Sequence, residues 1–324
     1  MPVSAKSDAF FTSSDKKTAI HYSVWTPELH PKAVIQIVHG MCENVGLYTE
    51  FAEFLCSKGY VVCGHDMLGH GENVTEDSIP GHFGDTDGDR YLLSDIEKLR
   101  VIMREKYRSL PYILLGHSLG SFAARAYAAA YPEGNLDGLI ISGTAGNEKP
   151  ARLGKSVASI IEKLRGANHS SKLIPFLAFF GYNRRFHSEK RKEYRKLAWT
   201  SNDFGLIDEH IPKDGRNECG LTVRGYFDMF CLLRYSQTHY PHPSLPLLMI
   251  SGKDDPLGGY GKSVGKLYDI LYQDLSDVTL KLYDGERHDV LIGKSREKVY
   301  EDVHGWIERI TDARIGMITQ SRET

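Results

Sequence analysis

The sequence predicts an α/β architecture: a mostly parallel central sheet flanked by helices, with a helical insertion late in the chain. Three observations carry this. Short apolar runs of strand length alternate with longer segments of helical periodicity. One run ends in a serine between two glycines and passes at once into an Ala-rich segment, "YILLGHSLGSFAARAYAAAY". The alternation stops over residues 143–243 and then resumes.

Taken in order, "AFFTSSDKKTAIHYSVWTP" reads as a hairpin with a polar turn around Ser14-Asp15. "AVIQIVHG" is a buried strand ending in His-Gly. "YTEFAEFLCSKG" repeats apolar residues at helical spacing and stops at Gly59, and "YVVCGHD" is the next strand. "DRYLLSDIEKLRVIMREKYRSL" is a long amphipathic helix, with Leu92, Leu93, Ile96, Leu99, Ile102 and Met103 on one stripe. "YILLGHS" is a strand buried on both faces, followed by a helix of small side chains that stops near Pro132. "LDGLIISG" is another strand. Residues 143–243 then read as helices and loops, rich in charge and aromatics. After them come strand "LPLLMISG", helix "GKSVGKLYDILYQDL", strand "VTLKLYDG" and helix "SREKVYEDVHGWIERI". The expected division is a core of residues 1–142 and 244–324 with a helical cap of residues 143–243 inserted in it.

Composition bounds the function. The 324 residues suffice for a large core, and a net charge of -2 gives no reason to expect nucleic acid. The five cysteines, Cys42, Cys56, Cys63, Cys219 and Cys231, show no metal-binding spacing and read as reduced, mostly buried thiols. The N-terminal stretch has no apolar signal core, and no window reaches the roughly 18 apolar residues of a membrane span. The expectation is a cytoplasmic protein.

Ser118 sits where a strand gives way to a helix, the setting of a nucleophile elbow. Gly116 and Gly120 let neighbouring backbone come close, and the helix that follows aims its N–H groups at the turn. Neither G-x-G-x-x-G nor a P-loop is present, which argues against a nucleotide-binding turn. A serine hydroxyl needs a base to take its proton. In elbow hydrolases the acid and then the histidine follow the serine in the chain. His288, in the polar loop after "VTLKLYDG", fits the base. Its rivals are His304, inside a predicted helix, and His239 and His242, which flank Pro241. The acid should follow the preceding strand, where "GKDDPLGG" offers Asp254 and Asp255. Two adjacent carboxylates cannot both point at one imidazole, and the residues leave that choice open. The oxyanion of acyl transfer needs two N–H donors, expected from Leu119 and from Met41 after "IQIVHG". His39 and His117 are read as hydrogen-bonded structural imidazoles. "GHDMLGHGEN" raises a metal site from His65, Asp66 and His70, but no closed ligand set is visible, and a structural turn is preferred.

"HGMCENVGLYTEFAEFL", "HDMLGHGEN", "LLGHSLGSFAARAYA" and "SGKDDPLGGYGK" together resemble the monoacylglycerol lipases and lysophospholipase-like serine hydrolases, a group that also carries a serine-aminopeptidase label. The resemblance runs from about residue 10 to residue 310 and implies the α/β-hydrolase fold with a helical cap. Carried over position by position, it implies Ser118 as nucleophile, His288 as base and Asp255, three residues after Gly252, as acid. Met41 and Leu119 become the oxyanion donors, and no cofactor or metal is implied. "GYFDMF" is similar to the cap segment that closes the acyl pocket in that family, whereas "IPKDGRNECG" carries extra residues before its Cys-Gly.

In the insertion, "LIPFLAFFGYNRRFHSEKRKEYRK" joins an apolar stretch to a basic one. One reading is a cap that lines an acyl entry and makes transient contact with a membrane surface; the other is a helix packed on the core beside a solvated charged one. Pocket lining is the preferred reading for the apolar part, and a solvated face for the basic part. The leading function is hydrolysis of carboxylic esters of a lipid-like alcohol. The alternatives are an aminopeptidase or amidase on the same triad, using cap carboxylates such as Asp203, Asp208 or Glu209, a short-chain carboxylesterase, and a non-catalytic receptor that retains the pocket.

Overall fold

The computed structural model describes residues 5–28, 30–132, 136–146, 148–186, 197–205 and 220–323. Its centre is an eight-stranded sheet of β1 (Ala5–Thr12), β2 (Ala19–Thr26), β3 (Val34–Val38), β4 (Val61–His65), β5 (Tyr112–His117), β6 (Gly138–Ser142), β7 (Leu247–Gly252) and β8 (Val278–Tyr283), in the order β1-β2-β4-β3-β5-β6-β7-β8. The β1–β2 hairpin is antiparallel and joins β4 antiparallel; every other pairing is parallel. Asp15 closes the hairpin by accepting the Lys17 and Thr18 N–H groups.

The central strands are buried along their whole length, as a parallel sheet covered on both faces requires. Their side chains alternate between two cores with the period of a strand. Leu114, Leu139, Ile141 and Met249 meet helices α2 (Gly88–Lys106), α3 (Leu119–Ala130) and α7 (Lys262–Asp274) on one face. Ile35, Ile113, Leu115 and Ile250 meet α1 (Thr49–Ser57) and α8 (Arg296–Glu323) on the other. Each such side chain contributes about 2 kcal/mol through burial. The helical stripe of α2 buries Leu92, Ile96, Leu99 and Met103, while Leu93 and Ile102 are only partly covered at its edges.

Between β6 and β7 the described residues form α4 (Glu148–Arg165), α5 (Leu173–Ala178), a 3-10 turn (Tyr182–Phe186) and α6 (Val223–Ser236), with no strand of the sheet. Thr222 caps α6 by accepting the Gly225 N–H. Helix α6 packs on α3 and α4, so it links this segment to the helix that follows Ser118. The basic stretch 187–196, most of "IPKDGRNECG", Asp208, Glu209 and Cys219 lie outside the described residues.

Two expectations change. The last helix extends beyond the predicted residue 310 to Glu323. Of the four described cysteines, Cys56 and Cys63 are buried but Cys42 and Cys231 only half so, and none of the four is in a disulfide. Among the described residues no helix is long and apolar enough to cross a membrane.

Candidate active site

Ser118 is the first residue after β5, with φ 51° and ψ −118°, a backbone conformation that side chains rarely adopt. The turn is this tight because both neighbouring glycines are in contact with backbone. A Cβ on Gly116 would collide with the Gly120 carbonyl, and one on Gly120 with the carbonyls of Val38 and His39. The spacing of two glycines around the serine is therefore a packing requirement. The Ser118 N–H bonds the Ser142 carbonyl at 2.9 Å, tying the elbow to the end of β6.

His288 and Asp255 arrive from the loops after β8 and β7. Ser118 Oγ lies 2.9 Å from His288 Nε2, and Asp255 Oδ2 lies 3.1 Å from His288 Nδ1. Asp255 is fully buried, and its other oxygen accepts the Leu257 N–H at 2.8 Å. Asp254 is partly exposed; only its neighbour reaches the imidazole. A carboxylate at Nδ1 holds the proton there and leaves the Nε2 lone pair for the serine hydroxyl. The rival histidines lie away from this cluster. His304 sits on α8 beside the Tyr60 hydroxyl, His239 stacks on Tyr235, and His242 bonds Ser244.

Burial opposes a charge on His288, but Asp255, and then Asp289 and Glu43, outweigh it and push its pKa up to about 9. Asp289 and Glu43 belong to none of the catalytic positions expected from sequence. Asp289 Oδ1 is 3.0 Å from His117 Nε2, and Glu43 Oε1 is 3.6 Å from the same atom. Glu43 Oε2 accepts the Gly40 N–H at 2.7 Å and the Tyr48 hydroxyl at 2.6 Å. His117 Nδ1 meets Ser142 Oγ at 3.1 Å. His117 therefore links the elbow to the loop after β3 and the loop after β8. The only hint in sequence is position: Glu43 follows "HGMC" and Asp289 follows His288 directly.

Residues 197–205, between β6 and β7, run along the His288 loop. Asp289 N–H donates to the Thr200 carbonyl at 2.7 Å, and Arg287 donates to the carbonyls of Ala198 and Ser201. The Trp199 ring lies 4.8 Å from the His288 ring. No sequence motif marks Trp199.

Met41 and Leu119 border the same cavity as Ser118, and among the described residues neither backbone N–H has an acceptor. His39 is bonded on both nitrogens: Nε2 accepts the Met67 N–H at 2.9 Å, and Nδ1–H donates to the Gly40 carbonyl at 2.7 Å. Asp66 organises the "GHDMLGHGEN" turn by accepting the N–H groups of Val45 and Glu72 and pairing with His21. Among the described residues one group, His117, His288 and Asp289, has ligand atoms close enough for a cation, within 4.8 Å. Ser118 and Asp255 occupy both His288 nitrogens, and His117 occupies one Asp289 oxygen, so the set is already used as a hydrogen-bond network.

The cavity measures about 390 Å³. Ser118, His288, Glu43 and Asp289 contribute polar wall. Phe122, Val157, Ile174, Phe179, Met229 and Phe230 contribute apolar wall, most of it from the residues between β6 and β7. That is the size and lining of a small-molecule site.

The model of the serine aminopeptidase S33 family matches residues 29–295. Human monoglyceride lipase is 26% identical over 292 residues, 89% of this chain and 86% of the relative. A monoacylglycerol lipase of Mycolicibacterium smegmatis is 28% identical over 293 residues, 89% of this chain and 92% of the relative. Among solved structures, a lipase in its open form superposes with TM-score 0.83 at 25% identity, covering 95% of this chain and 99% of the other. A thermostable carboxyl esterase from Bacillus coagulans, in complex with glycerol, superposes with TM-score 0.84 at 27% identity over the same shares. The chain belongs to the serine aminopeptidase S33 family and is a serine hydrolase of the lipase and esterase kind on the α/β-hydrolase fold.

Proposed function

We propose that the protein cleaves carboxylic esters of lipid-like alcohols, such as a monoacylglycerol or a lysophospholipid, through a Ser118–His288–Asp255 triad and an acyl-enzyme. The observation that carries this reading is the 2.9 Å contact between Ser118 Oγ and His288 Nε2 on the wall of a mostly apolar cavity. Ser118 Oγ attacks the ester carbonyl while His288 Nε2 takes its proton. Asp255 orients the imidazole and stabilises its cation. The Met41 and Leu119 N–H groups donate to the oxyanion; losing one such donor typically costs about 3 kcal/mol of transition-state stabilisation. His288 then returns the proton to the leaving alcohol, and water activated by the same imidazole releases the acid.

Residues 143–243 serve in this reading as a cap, with Ile174, Phe179, Met229 and Phe230 receiving the acyl chain. Leu153, Leu164, Phe176 and Phe180 are exposed on or beside α4 and α5, near Lys163, Arg165 and Lys172, a combination suited to transient contact with a lipid surface. The lipase names of the relatives support an acyl-ester substrate. An amidase would need a carboxylate ready for a substrate ammonium, and Asp203 is already engaged by Arg296 at 3.3 Å.

A fluorophosphonate probe is expected to label the wild type at Ser118, and Ser118→Ala to abolish both labelling and ester hydrolysis. Undiminished turnover in that variant ends the proposal. Parallel kinetics on monoacylglycerols, lysophosphatidylcholines, short-chain p-nitrophenyl esters and aminoacyl nitroanilides rank the substrate classes.

A further inference from the structure

A cation lies buried where the inserted segment leaves the core and where it returns. Arg125 is on α3, about two turns beyond Ser118, and is only 2% exposed. Its guanidinium donates to the Ala145 carbonyl at 3.1 Å, the Thr144 hydroxyl at 3.4 Å and the Ser236 carbonyl at 2.7 Å. Thr144 and Ala145 follow β6 almost directly, and Ser236 ends α6. One side chain therefore grips both stems of the segment. Gln237 adds a second tie to the Ala145 carbonyl at 3.5 Å.

Among the described residues no carboxylate lies within ion-pair distance of Arg125; Tyr240 is the titratable group nearest in effect, and burial lowers the guanidinium pKa to about 10. A buried charge without a counter-ion is costly unless its donors are fully used. Here the compensation is the C-terminal end of α6, whose last carbonyls carry the negative end of the helix dipole.

The cavity borders the same elements. Ala145 lines it, as do Val157 on α4, Met229 and Leu233 on α6, and Phe122 on α3, one turn before Arg125. We propose that Arg125 is a positioning residue: it fixes both stems of residues 143–243 against the helix that follows Ser118, and so sets the acyl-binding width of the cavity without taking part in the chemistry. This rests on the ester-hydrolase reading above for its substrate consequence.

The test compares the full chain with Arg125→Met and Arg125→Lys on p-nitrophenyl acetate and p-nitrophenyl dodecanoate, with amide hydrogen exchange on each protein. In Arg125→Met, kcat/KM for the dodecanoate falls about tenfold or more, chiefly through KM. The acetate stays within about twofold. Exchange quickens at residues 144–146 and in the last turn of α6, but not in β5. Arg125→Lys keeps the charge with fewer donors and falls between; it carries the same comparison if the methionine variant does not fold. Equal losses on both esters, an unchanged ratio, or unchanged exchange at the stems overturns the proposal. Wild type inactive on both esters removes the ester-hydrolase reading instead, and the exchange comparison still decides whether Arg125 holds the stems.

Discussion

Two regions of this molecule gather histidines, and burial treats them alike while their neighbours do not. His39, His65 and His70 surround the ends of β3 and β4, all buried. Burial pushes the pKa of His65 down to about 3 and of His70 down to about 4. The nearby Asp66 is engaged by His21 and two backbone N–H groups, and among the described residues neither ring nitrogen of His65 has a hydrogen-bond partner. His117 and His288 lie equally buried, with rings 4.9 Å apart, but Asp255, Asp289 and Glu43 surround them. For His288 the imidazolium is favoured. The difference teaches that a histidine's chemistry is set by which carboxylates have an oxygen left for it, since desolvation alone drives every buried imidazole neutral.

The largest test of that contrast removes the carboxylate that matters most. Asp255→Asn should lower kcat for ester hydrolysis by about 10⁴-fold, because it destroys the tautomer control at Nδ1. Near-normal kcat with a folded protein would show that Asp255 does not orient His288.

Next in size is the pH dependence. His288 must be neutral to accept the serine proton, so kcat/KM should climb as pH rises through the neutral range toward about 9. Asp289→Asn removes one of the groups that favour the cation, so the climb should move to lower pH. A profile that falls in height but keeps its midpoint would make Asp289 a structural residue only. The same raised pKa contributes stability below the unfolded value near 6.5, lost as pH rises through about 9.

The smallest effect comes from the other cluster, with the opposite sign. His65 has a folded pKa below that of the unfolded chain, so stability is full above pH 6.5 and declines as pH falls toward about 3. His65→Leu removes this proton linkage and two unpartnered ring nitrogens. Urea denaturation at pH 5 should show a gain of about 2 kcal/mol, shrinking above pH 7. No gain at pH 5 would mean that His65 is not the neutral buried group described.

Much of the fold is readable along the chain because its signals are local. The runs of β3, β5, β6 and β7 are apolar on both faces, which only a covered parallel sheet accommodates. The α2 stripe follows helical spacing. The end of α8 was less legible, because after Ile310 there is no Pro and a Gly only at 316, so no residue near 310 marks where the helix stops or continues. At the site, the Gly-His-Ser-Leu-Gly turn is legible since its glycines answer to neighbouring backbone. Glu43, Asp289 and Trp199 were not, because each acts on His117 or His288 through contacts between separate loops.

The order of strands and helices, the elbow at Ser118 and the membership of a hydrolase family are properties of the linear chain: periodicity, turn chemistry and short motifs need no distant partner. Which of Asp254 and Asp255 meets the imidazole, which histidines become core and which gather carboxylates, and how Arg125 holds both stems were decided only by folding. Electrostatic and hydrogen-bond energies depend on separations of a few ångströms between residues far apart in sequence, and nothing but the assembled sheet and its loops fixes those separations.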